Sequence, residues 1–240
     1  MTTTETNKYV YNFTEGKKEL KNLLGGKGAN LGEMTNLGLN IPPGFTITTE
    51  ACLLYFQNPK KIMTDIEPLV IEKLKELEKI TGKKFGDKHN PLLVSVRSGA
   101  PMSMPGMMDT VLNLGLNDES VKGMAEQTEN PRFAYDSWRR FIQMFGDVCM
   151  GIGDEKFERI LDKSKRDISI SAQDTDLSVA DLQKVIADYK ALYEKEIGTP
   201  FPQDPYKQLF IAIEAVFKSW NNKRAVIYRK LNDIPDFGTA

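Results

Sequence analysis

The sequence predicts an α/β (α+β) protein, a lobe with a mixed sheet carrying a helical insert. Three observations lead there. Short β-like runs alternate with helical segments up to Leu116. From Asn117 to Gly198, glycines and β-branched alternation give way to consecutive helical patterns. Then Gly198–Pro205, with three prolines, marks a boundary. The expected division is therefore residues 1–116 as the α/β lobe, 117–198 as the helical insert, and 199–240 as a return to the lobe.

The elements follow from local pattern. Tyr9–Phe13 alternates as a strand, Ile41–Gly44 (IPPG) is a rigid turn, and Phe45–Thr48 reads as a second strand. Thr49 can cap a helix running through Tyr55. Thr64–Thr81 is amphipathic: Ile66, Leu69, Val70, Leu74, Leu77 and Ile80 share a face, with Lys and Glu opposite. Gly82 and Gly86 close it. Leu92–Val96 has the composition of a buried strand, and Thr110–Leu114 is β-like again. In the insert, Ser120–Gln127 is helical. Pro131 opens a helix through Met150 whose face is Phe133, Trp138, Phe141, Ile142 and Phe145. An aromatic face of this kind is read as core, while Arg132, Arg139 and Arg140 are read as surface or interface charges. Phe157–Leu161 is a shorter helix, and Ile168–Thr175 a polar loop. Ser178 with Asp181 forms a capping box for a helix ending near Ile197. Gln208–Trp220 is helical, and Lys223–Asn232 continues as a basic segment.

Composition narrows the function. The chain has 240 residues, 40% apolar and 27% charged, with a net charge of −1. No global basic field points to nucleic acid, so any phosphate site is local. Cys52 and Cys149 match no metal spacing and are read as reduced thiols of a cytoplasmic protein. No apolar run approaches membrane-spanning length, and the opening MTTTETNKYV lacks the apolar core of a signal peptide. The single histidine, His89, sits in a polar turn, where solvated surface is the expected role.

Two stretches carry possible chemistry. In Pro91–Leu116, an apolar run delivers Arg97 and Ser98 to Gly99, and a loop rich in methionine follows (Met102, Met104, Pro105, Gly106, Met107, Met108). A guanidinium at a strand end and free N–H groups around a glycine suit a phosphate. A plain hairpin with a paired arginine and gap-filling methionines suits the same residues equally. In Asn22–Leu31 (NLLGGKGANL), Lys27 is flanked by Gly25, Gly26 and Gly28 ahead of a helix. A helix N-terminus favours an anion, but this is not the P-loop spacing. Taken alone, the segment reads better as a flexible turn with a solvated lysine.

Several stretches together resemble the N-terminal nucleotide-binding domain of the pyruvate, phosphate dikinases. They are Asn22–Leu31, Ile41–Thr49, Phe85–Asp87, Leu92–Leu116, Asn130–Met144 and Ser219–Pro235. VSVRSGAPMSMPGMMDTVLNLG is the most specific; the related phosphoenolpyruvate synthases carry an acidic segment and a Ser-Phe-Ala-Gly run after the Arg-Ser strand. The resemblance implies a partial ATP-grasp fold. It also implies the reaction of ATP, pyruvate and phosphate to AMP, phosphoenolpyruvate and diphosphate. ATP would first be used on a histidine of a separate domain of the same full-length protein. Lys27 and Arg97 match family residues on the ATP phosphates, with Ser98 beside them. Met104–Asp109, including Met104, the Gly106 backbone, Met108 and Asp109, matches the loop that closes over those phosphates. Arg224 matches an arginine that helps dock the histidine domain.

The same resemblance implies that Mg²⁺ accompanies ATP with its ligands outside this chain, so no metal ligand is expected here. The phosphorylated histidine is likewise expected elsewhere. The stop at Phe237–Ala240, without a terminal cap or polar tail, suggests a fragment truncated before the second ATP-grasp lobe and inactive alone. The intact enzyme is expected to be a cytoplasmic homo-oligomer without nucleic-acid or membrane partners. Two competing readings are a catalytically inactive nucleotide-binding or docking module, and another histidine-dependent dikinase.

Overall fold

A computed structural model describes residues 8–240; the reading of the N-terminal segment falls largely on residues 1–7, outside the described residues. The chain is mixed α/β and forms two compact units. Of the described residues, unit 1 comprises 8–82, 97–109 and 216–240, and unit 2 comprises 83–96 and 110–215. These contact-based units divide the chain at different places from the compositional division at 116 and 198.

In unit 1, β1 (Val10–Asn12) pairs antiparallel with β2 (Phe45–Ile47), Tyr11 opposite Thr46. Helix α1 (Lys21–Asn36) lies against α2 (Thr49–Gln57) and β2. Thr48, not Thr49, caps α2: its hydroxyl accepts the Ala51 N–H at 3.3 Å. Thr49 is the first helical residue, and its hydroxyl donates to the Asn22 carbonyl at 2.7 Å. Helix α3 (Pro59–Thr81) starts five residues before the predicted Thr64. Asn58 caps it through the Lys61 N–H, Pro59 fits its first turn, and Pro68 is tolerated inside. Ile62, Ile66, Val70, Leu74 and Leu77 are buried along one stripe, but Ile80 is 68% exposed, because the last turn runs past the core. Gly82 ends α3 in the left-handed region.

Three glycines of α1 lie against main chain or a neighbouring strand. A Cβ at Gly25 would stand 1.9 Å from the Gly99 oxygen, at Gly28 2.8 Å from Thr46 Oγ1, and at Gly32 2.5 Å from Gly16 Cα. At Gly25 and Gly32 the contact is with main chain and excludes a side chain, while at Gly28 the Thr46 side chain would have to shift.

Unit 2 has its core in the helical region. The expected strand Leu92–Val96 is two short pieces: β4 (Pro91–Leu92), parallel to β3 (Lys84–Phe85), and the start of β5 (Val94–Arg97). Pro91 and Leu92 are buried, whereas β5 alternates half-buried and exposed, so this run is not the fully buried strand that its apolar residues suggest. β5 neighbours β6 (Thr110–Leu114).

Helix α5 (Pro131–Met144) packs on α4 (Ser120–Thr128), α7 (Val179–Ile197) and β6, and α6 (Asp154–Ile168) packs on α7. The predicted long helix to Met150 is α5 followed by a π-turn, Phe145–Cys149. The short helix expected at Phe157–Leu161 is the middle of the fifteen-residue α6. Ser178 and Asp181 form the capping box of α7.

Phe201, in the proline-rich connection, touches Trp138, Phe141, Phe145 and Tyr193 with ring centroids 5.0–6.1 Å apart. It holds that connection inside unit 2. Phe133, expected in the same cluster, is 50% exposed on the first turn of α5. Arg139 reverses the surface expectation. It is buried, with its guanidinium donating to Asp136 Oδ1 at 2.8 and 2.9 Å and to Gln143 Oε1 at 3.1 Å. Gln143 also accepts from the Tyr189 hydroxyl at 3.2 Å.

Helix α8 (Pro205–Ser219) runs from unit 2 into unit 1, where α9 (Lys223–Leu231) follows.

Candidate functional site

All eight sequence-predicted site residues fall in unit 1. The glycine-flanked lysine enters a helix, as its sequence suggests, after one preceding turn of helix. Helix α1 has already begun at Lys21 and breaks at Gly25, whose φ of 67° and ψ of 168° suit glycine alone. The break brings the following turn onto the end of β5. The Gly26 N–H donates to the Ala100 carbonyl at 2.8 Å, and the Gly25 Cα faces the Gly99 oxygen. Gly99 and Ala240 exchange both backbone hydrogen bonds at 2.9 Å, as in a closely paired antiparallel bridge. Gly99 also donates to Thr239 Oγ1 at 3.0 Å.

This packing sets Lys27 beside the Ser98–Gly99 peptide. Its ammonium donates to the Ser98 carbonyl at 2.8 Å. Burial, and after it the positive charge of Arg97, holds the Lys27 ammonium below its usual 10.5. Arg97 is exposed, and among the described residues neither it nor Lys27 forms an ion pair with a carboxylate. The stem of Lys21 also lies at this turn, its Cε 3.8 Å from where a Gly26 Cβ would lie. Two like charges therefore lie close together without a carboxylate partner among the described residues, an arrangement that an anion would relieve.

The methionine loop is the second group. Met104 is buried and its carbonyl accepts the Met107 N–H at 3.2 Å. Pro105 and Gly106 occupy the two central positions, with φ +69° at Gly106, the signature of a type II turn. Gly106 is exposed and open space surrounds its Cα, while Met108 is half-buried. The loop ends at Asp109, which pairs with Arg224. The Arg224 Nε donates to the Met107 carbonyl at 3.0 Å.

The structure thus joins Lys27, Arg97 and Ser98 in one group, and Asp109 and Arg224 in another. Among the described residues no hydrogen bond or ion pair links the two groups. Both oxygens of Asp109 are engaged by side-chain donors, and no three potential metal ligands come together among the described residues.

Sequence reasoning missed Ser219 and Asn222, which bond Asp109 from more than a hundred residues away. It also missed Thr239 and Ala240 at Gly99. No local pattern signals these long-range partners.

The family whose pattern fits residues 21–81 and 60–240 is described as pyruvate phosphate dikinase, AMP/ATP-binding domain. The chain is 55% identical over 235 residues to the pyruvate, phosphate dikinase of Clostridium symbiosum, covering 97% of this chain and 27% of that one. It is 53% identical over 238 residues to that of Rhizobium meliloti (strain 1021), covering 97% and 26%. It is 52% identical over 238 residues to the chloroplastic pyruvate, phosphate dikinase 1 of Arabidopsis thaliana, covering 97% and 24%. The chain spans about a quarter of the length of these relatives. It belongs to the pyruvate phosphate dikinase AMP/ATP-binding domain family.

Proposed function

We propose that this chain is the ATP-binding part of a pyruvate, phosphate dikinase. Lys27 and Arg97 position and neutralise the ATP phosphates, and the Met104–Asp109 loop covers them. The observation that carries this reading is the closeness of the Lys27 ammonium, held to the Ser98 carbonyl, to a guanidinium that has no carboxylate partner among the described residues. Phosphoryl transfer asks mainly for such positioning and charge stabilisation from protein groups. Lys27 supplies a point charge tied to the Ser98 carbonyl, and Arg97 supplies a planar fork open to solvent.

The acceptor is a histidine on another domain of the full-length protein, and Arg224 helps dock that domain. The overall reaction converts ATP, pyruvate and phosphate to AMP, phosphoenolpyruvate and diphosphate. Mg²⁺ enters with ATP on ligands outside these residues. The functional division runs 1–116, 117–198 and 199–240 within an ATP-grasp arrangement, in a cytoplasmic homo-oligomer. No helix among the described residues is long and apolar enough to cross a membrane.

Calorimetric titration with Mg·ATP tests the site. Lys27→Ala and Arg97→Ala should each weaken binding by about tenfold or more, the worth of a charge-assisted phosphate contact. In the full-length enzyme, Arg97→Ala should lower the rate by about two orders of magnitude. Wild-type affinity in both variants would remove the phosphate assignment.

A further inference from the structure

The loop over the proposed phosphate site is fastened at both ends, and the fastening at its C-terminal end involves residues with no role so far. Met104 is buried at the start of the tip. At the other end, Asp109 makes three connections. Its N–H donates to Ser219 Oγ at 3.2 Å, and the Ser219 hydroxyl donates onward to the Val216 carbonyl at 2.7 Å. Its Oδ2 accepts from Asn222 Nδ2 at 3.0 Å, and its Oδ1 accepts from Arg224 Nη2. The same guanidinium also donates through Nε to the Met107 carbonyl at 3.0 Å. One side chain therefore holds the loop at two points, two residues apart, and only Pro105–Met108 stands between the fastened ends.

A bare carboxylate beside a polyphosphate would repel it. Here both oxygens point at donors, and the Asp109 side chain is 18% exposed against 54% for Arg224. The charge is paired on the protein side, and each oxygen accepts one hydrogen bond there.

We infer that Asp109 is a positioning residue, fastened by Ser219, Asn222 and Arg224, that sets where the Gly106 turn stands over the nucleotide and is not itself a ligand. This inference rests on the proposed function for its consequence, but not for the fastening itself.

Two readouts on the full-length protein separate these parts: amide hydrogen exchange across Gly106–Met108, and calorimetric Mg·ATP affinity, with adenosine as the phosphate-free control. Arg224→Ala, exposed enough to leave folding intact, and Asp109→Asn should each speed exchange by about tenfold, with the double variant no faster than the faster single one. Each should weaken Mg·ATP several-fold and leave adenosine binding unchanged. Unchanged exchange in both variants overturns the fastening. Loss of Mg·ATP binding in Asp109→Asn, with Arg224→Ala like wild type in both readouts, makes Asp109 a ligand and overturns the inference. Faster exchange with Mg·ATP affinity unchanged, in a protein that still needs Lys27, overturns the positioning role alone. Wild-type affinity in Lys27→Ala and Arg97→Ala instead refutes the phosphate site, and the exchange result still decides the fastening.

Discussion

Gly25→Ala tests whether the break in α1 is what places Lys27. At φ 67° and ψ 168°, a non-glycine residue carries about 1–3 kcal/mol of backbone strain. Its Cβ would stand 1.9 Å from the Gly99 oxygen and 2.6 Å from the Gly99 carbon, so one of the two main-chain segments must move. That movement stretches the hydrogen bond from Gly26 to Ala100, worth about 1 kcal/mol. The sum, about 2–4 kcal/mol, is a large share of the roughly 5–15 kcal/mol that holds a domain folded. With a urea dependence of about 2 kcal/mol per molar, the unfolding midpoint should drop by about 1–2 M. Trp220, buried in the same unit, reports the transition once Trp138 is replaced by phenylalanine. Gly38→Ala is the control: φ is +77° but open space surrounds the position, so only the strain of about 1 kcal/mol applies. A midpoint for Gly25→Ala no lower than that for Gly38→Ala refutes the close-approach reasoning.

Arg139→Met should cost about 3–5 kcal/mol, because Asp136 loses the buried partner of its ion pair and keeps only the exposed Arg140; Trp138 fluorescence in urea measures it, and a loss below about 1 kcal/mol contradicts the buried-pair account. Burial pushes the Cys52 thiol up to about 12, so iodoacetamide should alkylate the half-buried Cys149 and spare Cys52 until the chain is unfolded, as peptide mass spectrometry would show. For Lys27, the fold disfavours the ammonium, so the unfolded chain binds that proton more tightly. The resulting destabilisation is complete below the folded pKa and fades as pH rises from there to 10.5. Stability relative to Lys27→Met should therefore climb across that alkaline window, and parallel pH curves would rule out the burial and Arg97 effects.

The helical faces were legible because apolar spacing survives without tertiary information: the α3 stripe and the Trp138–Phe141–Phe145 cluster follow from it. Errors lie where an element outruns its core. Ile80 and Phe133 keep the right spacing but sit on terminal turns with nothing above them. Arg139 looked like surface because charge is usually solvated; its burial depends on Tyr189 and Gln143 arriving from other turns and helices. For the candidate site, the glycine-flanked lysine and strand-end arginine drew attention through local chemistry. Their juxtaposition rests on the break at Gly25, which the glycines mark, and on its contact with Gly99 and Ala100, which no local pattern shows. The partners of Asp109 lie on the corner between α8 and α9, and no spacing rule reaches that far.

The glycine stripe of α1 has a consequence for how this surface can change. Two bare α-carbons pressed on neighbouring backbone, and a third on the Thr46 side chain, leave the helix one seat, and that seat depends largely on main-chain shape. The residues exposed around Lys27 can therefore drift in identity and charge without unseating its ammonium. One added methyl on the hidden side would tilt the whole rod. Mutational tolerance should split along the helix axis, permissive toward solvent and least at Gly25 and Gly32 beneath.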